Sequence, residues 1–233
     1  MINGRTVLVV IPALNEAGAI TGVIAEIRAE LPGVDVLVVD DGSTDSTARE
    51  AGKAGALVAS LPYNLGVGGA RRLGYRYGLD GDYDVVVQLD ADGQHDPKFV
   101  PQMIDALDEG DVVIGARFAG VGEYRVRGPR SWAMSFLSTV LSAVARTRLT
   151  DTTSGYRATN RRGTALYAQF FPVEYLGDTV ETIVQAVRHD LTVRQVPVAM
   201  RPRVAGTPSH SPIRATIYLG RAFSVLVLAL IRR

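Results

Sequence analysis

The chain has 233 residues, 47% hydrophobic and 21% charged, with a formal net charge of +1. That is enough apolar material for one sizeable core, and so balanced a charge carries no electrostatic signature of nucleic-acid binding. Cysteine is absent, which excludes a disulfide framework, a thiol nucleophile and cysteine-ligated zinc, and is compatible with a reducing cytosol.

Thr6 to Ile11 is the first apolar run and is expected to be a strand stopped by Pro12; it is too short for a signal peptide. Ala17 to Leu31 carries apolar residues at helical spacing (Ile20, Val23, Ile24, Ile27, Leu31) and ends at Pro32-Gly33. Val34 to Val39 is a second strand, followed by Asp40-Asp41-Gly42-Ser43-Thr44-Asp45, where Ser43 or Thr44 is a good N-cap for a helix to about Ala54. Ala56 to Leu61 is a third strand. The glycine-rich turn Asn64 to Gly69 then opens a helix to about Leu79.

Val85 to Leu89 is the fourth strand, and the rest of the chain is organised around it. It ends in Asp90-Ala91-Asp92-Gly93-Gln94-His95-Asp96-Pro97. A helix over Pro97 to Glu109 and a strand over Val112 to Ala116 follow. Residues 117–130 read as a Gly- and Arg-rich loop, Ser131 to Arg146 as a long helix, Val180 to His189 as another, Leu191 to Val198 as a strand and 201–211 as a basic loop. The alternation of strand and helix argues for an α/β fold with a doubly wound, mostly parallel sheet, and near-continuous apolar strands fit burial on both faces.

In such a sheet ligands bind at the carboxyl ends of the strands. Three of those ends carry polar groups: Pro12, Ala13, Asn15 and Glu16 after the first strand, Asp40 and Asp41 after the second, Asp90 and Asp92 after the fourth. Asp90 and Asp92 are hard oxygen ligands suited to Mg²⁺ or Mn²⁺ on a substrate diphosphate, and Gln94 and His95 are close enough in sequence to join them. The bland alternative is a strand-to-helix turn with an N-cap; Asp40 and Asp41 likewise have a capping alternative to a nucleoside contact. Gly66, Gly68 and Gly69 would let backbone approach a phosphate. The dinucleotide fingerprint is missing after the first strand, where Pro-Ala-Leu-Asn-Glu stands, and there is no Walker A sequence.

Five segments taken together resemble family 2 glycosyltransferases: Ile11 to Glu16, Val39 to Asp45, Asn64-Leu65-Gly66, Leu89 to Gln94, and Asp151-Thr152-Thr153-Ser154-Gly155-Tyr156-Arg157. The chain looks most similar to the branch of dolichol-phosphate mannose synthases and bacterial polyprenyl-phosphate glycosyltransferases. The resemblance covers about residues 5–210. It implies a GT-A fold, inverting transfer, a nucleotide-sugar donor and a divalent metal. It implies nucleotide-sugar contacts from Pro12, Ala13, Asn15, Glu16, Asp40, Asp41, Gly66, Asp90, Ala91 and Asp92, with Asp90, Asp92 and Gln94 on the metal. By the same resemblance Arg117 and Arg130 match acceptor-phosphate residues, and Arg203 with Ser209 matches a late loop closing over the site. Arg125, Arg127, Arg201 and His210 are further cations in reach of an anionic acceptor.

Asp92, Arg117, Arg130, Ser154, Glu181 and Arg203 are therefore the expected catalytic set. Asp151 is expected to hold its loop, and His189 has no motif around it. A polyprenyl phosphate is already anionic near neutral pH, so its transfer needs no general base. Transfer to a sugar hydroxyl in cell-wall or capsule assembly would need one, with Glu181 or Asp178 as candidates. A non-catalytic nucleotide-sugar-binding scaffold is a third reading.

The domain expectation is a GT-A catalytic domain over 1–211 and an apolar, basic helix over 212–233, at a membrane interface or in a dimer contact. Its uncharged run, Ala222 to Ile231, is ten residues, against roughly 20 for a membrane span. The expected placement is cytoplasmic and peripheral on the inner membrane face, with a possible homo-oligomer.

Overall fold

The computed structural model describes residues 1–117, 129–172 and 177–202, with backbone alone for 129–135 and 177–178. The expected C-terminal helix over 212–233, and with it the domain boundary, lies outside the described residues.

The strands are β1 (Val7–Ala13), β2 (Asp35–Asp40), β3 (Leu57–Ser60), β4 (Val85–Gln88), β5 (Val112–Ala116), β6 (Arg157–Asn160) and β7 (Val193–Pro197). The helices are α1 (Ile20–Glu30), α2 (Thr47–Lys53), α3 (Val67–Asp80), α4 (Val100–Asp105), α5 (Pro129–Ala145), α6 (Arg161–Phe170) and α7 (Gly177–Arg188). The strands form one sheet in the order β3-β2-β1-β4-β6-β5-β7. One apolar cluster joins α1 and α4 to one face of the sheet. A second joins α3, α5, α6 and α7 to the other. The strands are buried on both sides, which is why they read as unbroken apolar runs.

Several local expectations give way to tertiary context. Pro12 continues β1 instead of ending it, opposite Val39. The carbonyl of Val10, on the same side of the strand as Pro12, accepts from Leu89, and β4 pairs with β1 no further than Gln88. The N–H that proline lacks therefore has no ladder partner to miss. Ser43 and Thr44 do not cap α2. The N-cap is Ser46, without a side-chain cap bond, and Asp45 before it takes the Thr47 N–H on Oδ1 at 2.9 Å. The helix expected over Pro97 to Glu109 is broken into 3-10 turns on either side of α4.

The sheet is mostly parallel, as expected, with one antiparallel strand. β6 and α6 had no counterpart in the sequence reading. β6 runs antiparallel to both its neighbours, β4 and β5, with Gln88 opposite Arg157 and Ile114 also opposite Arg157. The start of β6 therefore lies at the same edge of the sheet as the ends of β1, β2, β4 and β5.

Helix α3 lies flush on the sheet. A Cβ at Gly74 would fall 2.2 Å from Cγ1 of Val10, and one at Gly78 would fall 2.4 Å from Cγ2 of Val86. Both distances are far inside contact, so these two glycines, one turn apart, set the helix-to-strand distance.

Candidate active site

The carboxyl ends of β1 and β2 are joined by polar contacts between their loops. Asn15 has φ +56°. Its N–H donates to Ser43 Oγ at 2.9 Å, and its Oδ1 accepts from the Thr44 N–H at 2.8 Å. The Glu16 N–H donates to Thr47 Oγ1 at 2.8 Å. Asp40 accepts from the Ser43 N–H at 3.2 Å. Asp41, buried, accepts from the Leu65 N–H at 2.7 Å. Burial pushes the Asp41 carboxyl above its ordinary value, against the opposing pull of the Leu65 and Gly66 amides. Gly42 makes this approach possible: it has φ +75°, and a Cβ there would sit 2.9 Å from the Asn64 backbone nitrogen. Gly66 has φ +83° and caps α3. The structure thus gathers Asn15, Glu16, Asp40, Asp41 and Gly66 at one edge, although Asp41 already serves the turn before α3.

Asp90 and Asp92 follow β4 at the same edge. The Asp90 side chain is 33% exposed, with Oδ1 3.5 Å from an Arg71 guanidinium nitrogen and Oδ2 3.6 Å from His95 Nε2. Burial would raise the Asp90 carboxyl, but His95 and Arg71 outweigh it and hold it below the usual carboxylate range. Asp92, 5% exposed, accepts from the Gln94 N–H at 3.0 Å. Ala91 is in the core. Gln94 turns its amide Nε2 to the Arg201 carbonyl at 3.3 Å and accepts from the Arg201 N–H at 3.0 Å. His95 is buried, its backbone bridged to Met200. Among the described residues no three His, Asp or Glu side chains gather closely enough to hold a metal unaided. Two carboxylates do meet the need of a Mg²⁺-like ion that takes its other oxygens from phosphate and water.

The loop before β6 closes the site on its far side. Asp151, 1% exposed, takes Arg117 bidentately, Nε to Oδ2 at 2.6 Å and Nη2 to Oδ1 at 3.0 Å. Arg117 Nη2 also donates to Thr153 Oγ1 at 2.7 Å. Burial pushes Asp151 up, yet Arg117 holds its carboxyl below the ordinary range. Arg117 is therefore a held cation whose charge is matched, and Asp151 is the loop holder expected of it. Ser154 is 1% exposed, with its Oγ accepting from the Tyr156 N–H at 3.2 Å. Its hydroxyl oxygen serves the turn into β6.

Of the remaining expected cations, Arg201 is taken by two carboxylates, Glu26 and, at 2.7 Å, Asp96. Arg203, Ser209, His210, Arg125 and Arg127 lie outside the described residues, as do the side chains of Arg130 and Asp178. Glu181 is half-buried on α7. His189 is exposed and stacks on Phe170.

Two residues of the site were missed in the sequence. Arg71, on the second turn of α3, is buried against Asp90, and Gly155 leaves room for it: a Cβ there would lie 3.0 Å from its guanidinium. Arg71 and Arg72 are adjacent in sequence, and only the helical phase separates the inward from the outward one. Tyr156, fully buried, donates its hydroxyl to the Asp96 carbonyl at 2.7 Å.

Comparison with known proteins agrees with this geometry. Residues 8–166 match the sequence model of Glycosyl transferase family 2. The chain is 38% identical to the undecaprenyl-phosphate mannosyltransferase of Micrococcus luteus over 162 residues, an alignment spanning 65% of either chain. It is 31% identical to the polyprenol monophosphomannose synthase of Mycolicibacterium smegmatis over 226 residues, covering 91% of this chain and 84% of the relative. Among solved structures it resembles the glucosyl-3-phosphoglycerate synthase of Mycobacterium tuberculosis, crystallised with Mn²⁺, UDP-glucose and phosphoglyceric acid. The TM-score is 0.71 at 27% identity, covering 97% of this chain and 80% of that one. The architecture is accordingly GT-A. Since the match runs from β1 into α6, through the loops that carry Asp41, Asp90, Asp92 and Asp151, the chain belongs to glycosyl transferase family 2.

Proposed function

We propose that this chain is an inverting, metal-dependent glycosyltransferase that moves a hexose from a nucleoside-diphosphate sugar to a polyprenyl phosphate, giving a lipid-phosphate-sugar. The observation that carries the reading is the Asp90–Asp92 pair at the end of β4, with Asp90 ionised and one third exposed beside the buried Arg71. The names of the two relatives, both enzymes of polyprenyl phosphates and mannose, support the acceptor class and make mannose the first sugar to test. The solved synthase, with Mn²⁺ and UDP-glucose, supports a divalent ion and a nucleotide-sugar donor.

Asp90 and Asp92 would hold Mg²⁺ or Mn²⁺, with Gln94 Oε1 as a further oxygen donor. When bound, the ion neutralises charge on the departing nucleoside diphosphate. The backbone and side chains at Pro12, Ala13, Asn15, Glu16, Asp40, Asp41 and Gly66 would receive the nucleoside. Asp40 and Asp41 offer acceptors to base N–H or ribose hydroxyl groups. Arg117, oriented by Asp151 and Thr153, would place the acceptor phosphate, and Arg130 and Arg203 are proposed to add the charge that Asp151 withdraws from it. An anionic phosphate attacks without a base, so no proton has to be moved. Among the described residues no helix is long and apolar enough to cross a membrane. Peripheral attachment at the inner membrane face is our reading of how the protein meets a lipid acceptor.

The test is incubation of the purified chain with Mg²⁺ or Mn²⁺, a short polyprenyl phosphate and a panel of GDP- and UDP-sugars, with lipid products read by mass. One lipid-phosphate-sugar, lost in Asp92→Ala, is the expected result. Donor turnover that appears only when oligosaccharide is added would replace this reading with a hydroxyl acceptor, and Glu181 would be the next residue to change. Metal-dependent uptake of donor with no turnover on any acceptor would favour a binding scaffold.

A further inference from the structure

His95 meets one aspartate twice. Its Nδ1 accepts from the Asp90 backbone N–H at 3.0 Å. A ring nitrogen that accepts carries no proton, so in the neutral ring the proton sits on Nε2. Nε2 lies 3.6 Å from Asp90 Oδ2. That is beyond hydrogen-bond length, but it points a positive N–H dipole at a carboxylate in a buried setting.

The ring cannot easily leave this position. Only 2% of the side chain is exposed. Tyr156 stacks on it with centroids 4.7 Å apart and planes 19° from parallel, and Tyr156 is in turn tied to the Asp96 carbonyl. Behind the loop, Arg201 holds Asp96 and Glu26. A ring wrapped in this way is poorly placed to be a metal ligand itself, as the sequence had allowed.

We propose that His95 is a positioning residue for Asp90: Nδ1 fixes the aspartate's main chain, the Nε2 proton orients its carboxylate, and together they present that carboxylate to the metal in one rotamer. The proposal rests on the reading of Asp90 as a metal-holding residue. Residues behind a metal ligand commonly change affinity by about 10- to 100-fold when removed.

The first measurement uses ¹⁵N-labelled, metal-free protein and two-bond ¹⁵N–¹H spectra of the imidazoles. His95 is expected as the Nε2-protonated tautomer; an Nδ1-protonated ring overturns the proposal.

The second uses two variants that separate nitrogen from ring. His95→Asn keeps an acceptor near the Nδ1 position and loses the stack. His95→Phe keeps the stack on Tyr156 and loses both nitrogens. Mn²⁺ uptake is followed by the electron paramagnetic resonance signal of free Mn²⁺, with UDP or GDP present. The Phe variant is expected to bind Mn²⁺ at least about tenfold more weakly, and the Asn variant, which restores the acceptor for the Asp90 N–H but not the Nε2 proton, to recover only part of that loss. Melting temperatures confirm that each folds.

Wild-type affinity in the Phe variant would overturn the proposal. So would an equal loss of affinity in both variants that tracks an equal loss of melting temperature, because the ring would then serve packing alone. Should the Phe variant fail to fold, the tautomer and the Asn variant still decide. Equal Mn²⁺ uptake by wild type and Asp90→Ala would instead sink the metal reading, leaving the tautomer to judge the geometry of His95 by itself.

Discussion

The two halves of the site are held in different ways. On the β1–β2 side, loops 28 to 31 residues apart in sequence are tied directly to each other, Asn15 to Ser43 and Thr44, Glu16 to Thr47. On the β4–β6 side the loop bearing Asp90 and Asp92 is held by distant residues: Tyr156 is 60 residues from Asp96, and Arg201 is 107 residues from Gln94. The first half is a local device that two adjacent strand–loop–helix units can form alone. The second depends on the whole chain having folded. Damage to the first should therefore be modest and confined, and damage to the second should reach the Asp90–Asp92 loop from far away.

The largest effect should come from Asp90→Asn. Turnover is expected to fall about 10³-fold, equivalent to roughly 4 kcal/mol of barrier, with a far smaller change in thermal stability; parallel kinetics and melting curves check it. Asp151→Asn should cost about 3 kcal/mol of stability in urea unfolding, because it removes the buried carboxylate that takes the Arg117 guanidinium bidentately. The sign with pH follows from the direction of the shift. The folded Asp151 carboxyl lies below its ordinary value, so its contribution is complete above the unfolded pKa of about 3.9 and is lost as pH falls through the lower folded value. The gap in stability between wild type and Asp151→Asn should therefore narrow only below about pH 4. A gap unchanged between neutral pH and strong acid would show that Arg117 does not hold the carboxylate.

Gly74→Ala should cost about 2 kcal/mol, since Val10 is a stiff β-branched neighbour in a central strand and cannot retreat from a new methyl. Wild-type stability in this variant would mean that α3 can lift off the sheet freely. The smallest effect belongs to Ser43→Ala. Loss of the acceptor for the Asn15 N–H should cost about 1 kcal/mol and weaken nucleotide binding without changing the metal dependence, as calorimetry with a nucleoside diphosphate would read. A change in metal affinity would break the separation of the two halves.

The same contrast explains which parts of the molecule are legible in the sequence. From β1 to β5 each strand is followed by its own helix or turn, so apolar runs, glycines and the Asp pairs marked the elements and the edge proposed to receive the donor. The glycine-rich turn before α3 was visible, but not that Asp41 holds it, because that bond depends on Gly42 bringing two loops into backbone contact. Arg117 was legible as a cation and Asp151 as an acid, yet their pairing was not: it arises because β6 enters the sheet backwards and brings residue 151 beside the end of β5. Arg-Ala-Thr-Asn, the whole of β6, has one apolar side chain and no alternation to betray a strand. Its identity comes from the places left open by β4 and β5. Ser43 and Thr44 are ordinary capping residues by local preference, and Asn15 claims both.

The backward entry of β6 also bears on how the protein is made. β5 has no sheet neighbour except β6 and β7, both synthesised after it. As the chain leaves the ribosome, β1 to β4 can assemble with their helices, but β5 must wait for about 40 more residues before the strand that joins it to the rest exists. During that interval Val-Val-Ile-Gly-Ala is an apolar strand with two open edges. Nascent chains that stall before Arg157 therefore expose an apolar segment that the finished enzyme buries, a natural handle for a holding chaperone.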